Sequence, residues 1–128
     1  MLVRTLESIV GSDREIKAET WTSRRLLLRA DGMGFSLHDT VIHAGTATRM
    51  WYRHHLEAVY CIEGYGALTC EDDGRSFPIA PGTLYALDAH DKHVLLAQTD
   101  LRLVCVFNPP LVGDETHDGD GAYPKAEE

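Results

Sequence analysis

LRLVCVFN, residues 101–108, places Leu101, Leu103, Cys105 and Phe107 on one parity and Arg102, Val104, Val106 and Asn108 on the other. Successive side chains of a strand point to opposite faces, so this alternation is that of a β-strand with one face turned towards a core. Working outward, FSLHDTVIH, residues 35–43, repeats the period of two: Phe35, Leu37, Asp39 and Val41 share one parity, and Ser36, His38, Thr40 and Ile42 the other. Between such segments the chain carries turn signals: DGMG at 31–34, AGT at 44–46, EGYG at 63–66, DDG at 72–74, APGT at 80–83 and NPP at 108–110. Short strands punctuated in this way predict an all-β sandwich or barrel. The one helix the pattern predicts is Thr5–Val10, with Thr5 as its cap and Leu6, Ile9 and Val10 facing the core.

A chain of 128 residues is the size of one domain. At that length folding buries roughly two-thirds of the extended surface, so neither a disulfide framework nor a structural metal is required. No apolar run approaches the ~18 residues of a membrane span, and MLVRTLESIV lacks the charged-then-apolar order of a secretory leader. Neither a membrane nor an exported location is expected. The net charge of -8 has the wrong sign for a phosphate-backbone binder, so nucleic acid is not an expected partner. Cys61, Cys70 and Cys105 are odd in number and form no CxxC pair, which points to a reducing cytoplasm rather than a disulfide scaffold or a thiolate zinc site. The acidic excess is concentrated in residues 113–128, which hold six carboxylates and one lysine. That stretch has the composition of a mobile tail, yet Glu115, His117 and Tyr123 are more chemical than a solvating tail needs.

Seven histidines are many for this length, and polar clusters stand at FSLHDT (35–40), YRHHLE (52–57) and LYALDAHDKH (84–93). On a strand His55 and Glu57 point to the same face, as do Tyr85 and Leu87 on another. A small closed barrel could gather them around a metal, although exposed histidines and glutamates on a solvated strand face are common.

EAVYCIEG, residues 57–64, resembles the second half of the first cupin motif, where a metal-binding glutamate precedes a turn glycine, and Gly82 to His93 resembles the second cupin motif with its histidine at His93. The first motif's histidine pair would fall at 50–53, where no histidine stands, and Asp88 and His90 replace the second motif's internal proline and glycine, so a three-histidine, one-glutamate site is excluded. Over nearly the whole chain the strings MLVRTLESIVGSDREI, ETWTSRRLLL, DGMGFSLHDT, WYRHHLEAVYCIEG, PGTLYALDAHDKH and LRLVCVFNPPLVGDETHDGDGAYP are similar to the ectoine synthases, a family of small cupins.

The resemblance implies a jelly-roll-like cupin barrel over residues 1–112 with at most one or two short helices, followed by an acidic tail, 113–128, able to act as an active-site lid. It implies a cytoplasmic homodimer and a hydro-lyase that closes N4-acetyl-L-2,4-diaminobutyrate into the compatible solute ectoine with loss of water. It also implies iron, as Fe(II), held by Glu57, Tyr85 and His93. A carboxylate, a phenolate and an imidazole are hard donors that suit iron. Tyr52, His55, Glu115 and His117 are the expected acid and base residues, with roles not divided among them. Trp21, Arg25, His38, Thr40, Cys105 and Phe107 are the expected substrate-binding residues, Arg25 offering a fork for the substrate carboxylate. The rival classes are another iron cupin enzyme, an oxygenase or isomerase, and a non-catalytic cupin that binds a small molecule.

Overall fold

The computed structural model describes residues 1–125; the last three residues of the expected tail lie outside it. After a one-turn helix α1 (Leu6–Ile9), ten strands follow: β1 (Glu15–Lys17), β2 (Trp21–Leu27), β3 (Ser36–Ile42), β4 (Ala47–Met50), β5 (Leu56–Glu63), β6 (Gly66–Cys70), β7 (Ser76–Ile79), β8 (Leu84–Leu87), β9 (His93–Ala97) and β10 (Leu101–Asn108). They form two antiparallel sheets, a six-stranded one in the order β1-β2-β3-β10-β5-β8 and a four-stranded one in the order β4-β9-β6-β7. This is the all-β cupin barrel that the alternation and the motifs predict.

Strand β10 lies at the centre of the larger sheet, between β3 and β5, and its buried residues are Leu101, Leu103, Cys105 and Phe107. On β3 the buried parity is Ser36, His38, Thr40 and Ile42, while Leu37 and Val41 are only half-buried on the outer side. The polar face goes inward because its members satisfy one another: His38 Nδ1 lies 3.1 Å from Ser23 Oγ and its Nε2 2.9 Å from Ser36 Oγ. Glu57, Val59 and Cys61 of β5 face the same interior, and Tyr85 and Leu87 of β8 join them. The register pairs Glu57 with Leu87 and Val59 with Tyr85, so Glu57 and Tyr85 are diagonal neighbours on one face.

Gly64 closes β5 at φ +92°, and a Cβ there would stand 1.9 Å from the Asp100 carbonyl oxygen. The motif glycine is thus fixed by the close passage of two turns. At the N-terminus Thr5 caps α1 as predicted, its hydroxyl accepting from the Ser8 amide at 3.2 Å, but only Ile9 reaches the core. Val10 is exposed and Leu6 half-buried, because one turn has too narrow a face to bury three residues. Among the described residues no helix is long and apolar enough to cross a membrane, and all three cysteines are free.

Candidate active site

Between the sheets lies a cavity with about 360 Å³ of empty space, open solvent at its mouth included. Its walls carry Trp21 from β2, Thr40 from β3, Glu57 from β5, Tyr85 from β8, Cys105 and Phe107 from β10, Tyr52 from the β4–β5 connection, and His117 and Tyr123 from the tail. Eight of the residues singled out from sequence therefore meet in one place. His93 flanks this group, its ring centroid 6.5 Å from that of Tyr85 and 6.1 Å from that of Tyr52.

Glu57, Tyr85 and His93 form a donor set suited to a cation. His93 Nδ1 lies 3.0 Å from the Asp91 carbonyl, to which only an N–H can donate, so Nε2 is left as a lone pair. That Nε2 is buried without a hydrogen-bond partner. Burial pushes the Glu57 carboxyl up to about 8, against the opposing hydrogen bond with Cys105, and burial together with Glu57 pushes the Tyr85 phenol well above its ordinary range. A bound cation reverses both shifts, since it favours the carboxylate and the phenolate that burial penalises. The residues present fit the iron that the resemblance implies.

Across the cavity Tyr52 Oη lies 2.7 Å from His117 Nε2. Burial, then Arg25, lowers the His117 imidazole to about 4, and burial raises the Tyr52 phenol well above 10. Near neutral pH the pair is an unprotonated imidazole beside a protonated phenol. Cys105 hydrogen-bonds with Thr40 and Glu57, and burial, reinforced by Glu57, holds its thiol far above the range where it ionises. It is a wall of the pocket and not a thiolate. His55 is buried with neither ring nitrogen partnered, and it stands edge-on to Phe107 and Tyr123 at 5.9 and 6.2 Å.

Three expected site residues sit elsewhere. His38 lies beneath Phe107, with both nitrogens committed to serines, so it supports the pocket from below. Glu115 turns back on its own loop, where its carboxylate oxygens accept from the Val112 and Gly113 amides at 2.7 Å each. Those bonds hold the carboxylate on its own loop, and Glu115 is not part of the cavity wall. Arg25 is fully buried, and instead of an open fork it presents donors already in use: Nη1 to the Gly113 carbonyl and Nη2 to the Glu115 carbonyl, both at 2.7 Å, and Nε to Ser23 Oγ at 3.2 Å.

Those contacts seat the tail on the barrel mouth. The Trp51 amide donates to the Gly121 carbonyl at 3.0 Å, and Arg53 pairs with Asp118 at 3.3 Å and with Asp120 at 2.7 Å. Gly121 has φ +73°, and a Cβ on it would meet the Arg49 carbonyl oxygen at 2.2 Å, so glycine alone lets the backbones approach. Ala122 and Tyr123 are buried in consequence. The described residues of the tail thus pack against the barrel. Sequence reasoning left Tyr123 out of the site, for want of any periodic pattern to place it.

The profile of the family described as Ectoine synthase matches residues 1–127. The L-ectoine synthase of Desulfatibacillum aliphaticivorans is 63% identical over 126 residues, covering 97% of each chain. That of Halalkalibacterium halodurans is 59% identical over 124 residues, covering 97% of this chain and 96% of that one. The crystal structure of ectoine synthase from P. lautus superposes with a TM-score of 0.86 at 57% identity, covering 88% of this chain and 81% of that one. With this geometry and these likenesses over almost its entire length, the chain belongs to the ectoine synthase family.

Proposed function

We propose that the protein closes N4-acetyl-L-2,4-diaminobutyrate into ectoine and releases one water. The observation that carries this reading is the cavity between the sheets in which the Tyr52–His117 pair faces Glu57 and Tyr85. The reaction joins the 2-amino nitrogen to the acetyl carbonyl carbon, and the carbonyl oxygen then leaves as water while a C=N bond forms. Iron held by Glu57, Tyr85 and His93 would supply a Lewis acid for that oxygen. The chain's own residues do the rest. Trp21 and Phe107 wall a pocket in which a flexible substrate is held folded, an orientation effect worth several kcal/mol. His117, uncharged near neutral pH, is competent to take the proton of the 2-ammonium group, and Tyr52, which stays protonated, is competent to donate towards the departing oxygen. The seated tail keeps bulk water from the reacting carbonyl and acts as a lid.

The same reading includes a homodimer, supported by exposed Leu56, Tyr60 and Leu84 on the outer face of β5 and β8. It also places the protein in a reducing cytoplasm, supported by three free cysteines, as a maker of compatible solute under osmotic stress. The direct test incubates iron-loaded protein with N4-acetyl-L-2,4-diaminobutyrate and follows a product lighter by one water. No such product from folded, iron-loaded protein overturns the reading.

Cys105 supplies a separate prediction. Because its thiol stays protonated and hydrogen-bonded, Cys105→Ser retains measurable turnover and mass spectrometry finds no covalent adduct on the parent protein. A trapped thioester or thioether would rewrite the chemistry.

A further inference from the structure

The geometry points to Tyr123 as a positioning residue for the Tyr52–His117 pair: the tail carries in the one ring that both members of the pair lean on. Tyr123 stacks on Tyr52, with centroids 5.2 Å apart and planes 20° apart, and it lies 4.7 Å from the His117 ring. Each member of the pair has aromatic neighbours on more than one side. Tyr52 has Tyr123 on its face and meets Phe107 edge-on at 5.1 Å; His117 has Trp21 at 5.1 Å and Tyr123 at 4.7 Å. Tyr123 is common to both, and it is itself fixed by Phe107 at 5.3 Å and by the Arg25 guanidinium 5.6 Å from its ring centroid.

The backbone explains why this ring cannot drift. Gly121 is pinned by the Trp51 amide and by its own bond to the Asp118 carbonyl at 3.1 Å, and Ala122 is fully buried. Two residues after that pin, Tyr123 has 4% of its surface exposed. Tyr52 and His117 are 65 residues apart in sequence and sit on separate loops, so their 2.7 Å contact needs a third group that constrains both. Rotation of Tyr52 towards Tyr123, or of His117 away from Tyr52, is blocked by the ring between Arg25 and Phe107. The pair leans on the ring itself, which the conservative change to phenylalanine keeps while giving up the hydroxyl's hydrogen bond with Arg25.

Tyr123→Phe and Tyr123→Leu are compared with the parent by crystal structure and by steady-state kinetics. The kinetic arm rests on the cyclodehydration reading; the structural arm does not. In Tyr123→Phe the Tyr52–His117 contact stays near its parent length and kcat stays within about threefold, whereas in Tyr123→Leu the two atoms move out of hydrogen-bond range and kcat falls at least about tenfold with KM within about threefold and iron content unchanged. An intact contact in Tyr123→Leu overturns the proposal, as does a parent-like kcat in that variant. If Tyr123→Leu fails to fold, Tyr123→Met is read in its place with the same two outcomes; a tenfold loss of kcat in Tyr123→Phe with the contact intact overturns the proposal by assigning the role to the hydroxyl and not to the ring. A parent enzyme that makes no product refutes the reaction while the crystal structures still judge Tyr123.

Discussion

Alanine in place of Glu57, Tyr85 or His93 is expected to strip iron from the protein and to lower turnover at least about a hundredfold, ~2.7 kcal/mol in barrier height. With three protein donors proposed, each replacement removes a third of the set. The variants stay folded. Glu57 is a buried carboxyl that burial drives towards its neutral form, so its removal relieves a desolvation cost, and His93 gives up one bond to the Asp91 carbonyl. Metal analysis and the product assay on the three proteins decide the matter together. Full iron occupancy in Tyr85→Ala would take the phenol out of the set.

The second large effect is expected from a chain ending at Val112. Its iron content stays near that of the parent, because Glu57, Tyr85 and His93 all stand on barrel strands. Turnover falls at least about tenfold, ~1.4 kcal/mol, since the segment carries His117 and Tyr123 into the cavity wall. Thermal stability drops as well. Arg25 is fully buried and loses both carbonyl acceptors held at 2.7 Å, and charged donors stranded in this way cost about 1–3 kcal/mol or more. Calorimetry and the product assay separate the two losses. Parent-like turnover would make the tail a bystander and leave Tyr52 and His55 as the acid and base.

How much of this was legible in the sequence follows from what each feature depends on. Strands β3 and β10 are long enough to show a period of two, and Thr5 announces its helix through a side chain that caps it. β1, β4, β7 and β8 are three or four residues long, too short for a period to register, and β7 contains Pro78. The motif glycine and the residues of the donor set were carried by resemblance; Glu57 and Tyr85 line the cavity and His93 flanks it. Arg25 is the inward-facing arginine of SRRLLLR as expected, but its partners were not legible because they are main-chain carbonyls about 90 residues away. Any sequence supplies a carbonyl. The contacts of the tail were hidden for the same reason: glycine and aspartate give it a mobile composition, while its described residues meet the barrel through the carbonyls of Gly113, Glu115 and Gly121 and one buried tyrosine.

The tail's grip on the barrel has two layers that respond differently to electrolyte. Arg53 with Asp118 and Asp120 is an exposed set, its partners 39% and 55% accessible, and pairs of this kind contribute about 0–1 kcal/mol each and fade as the Debye length shrinks from about 10 Å at 0.1 M salt to about 3 Å at 1 M. The inner layer, Arg25 on two carbonyls and Tyr123 among its aromatic neighbours, is shielded from mobile ions by the protein around it. Rising ionic strength is therefore expected to loosen the outer contacts of the tail and to leave its anchor on Arg25 and the aromatic cluster in place.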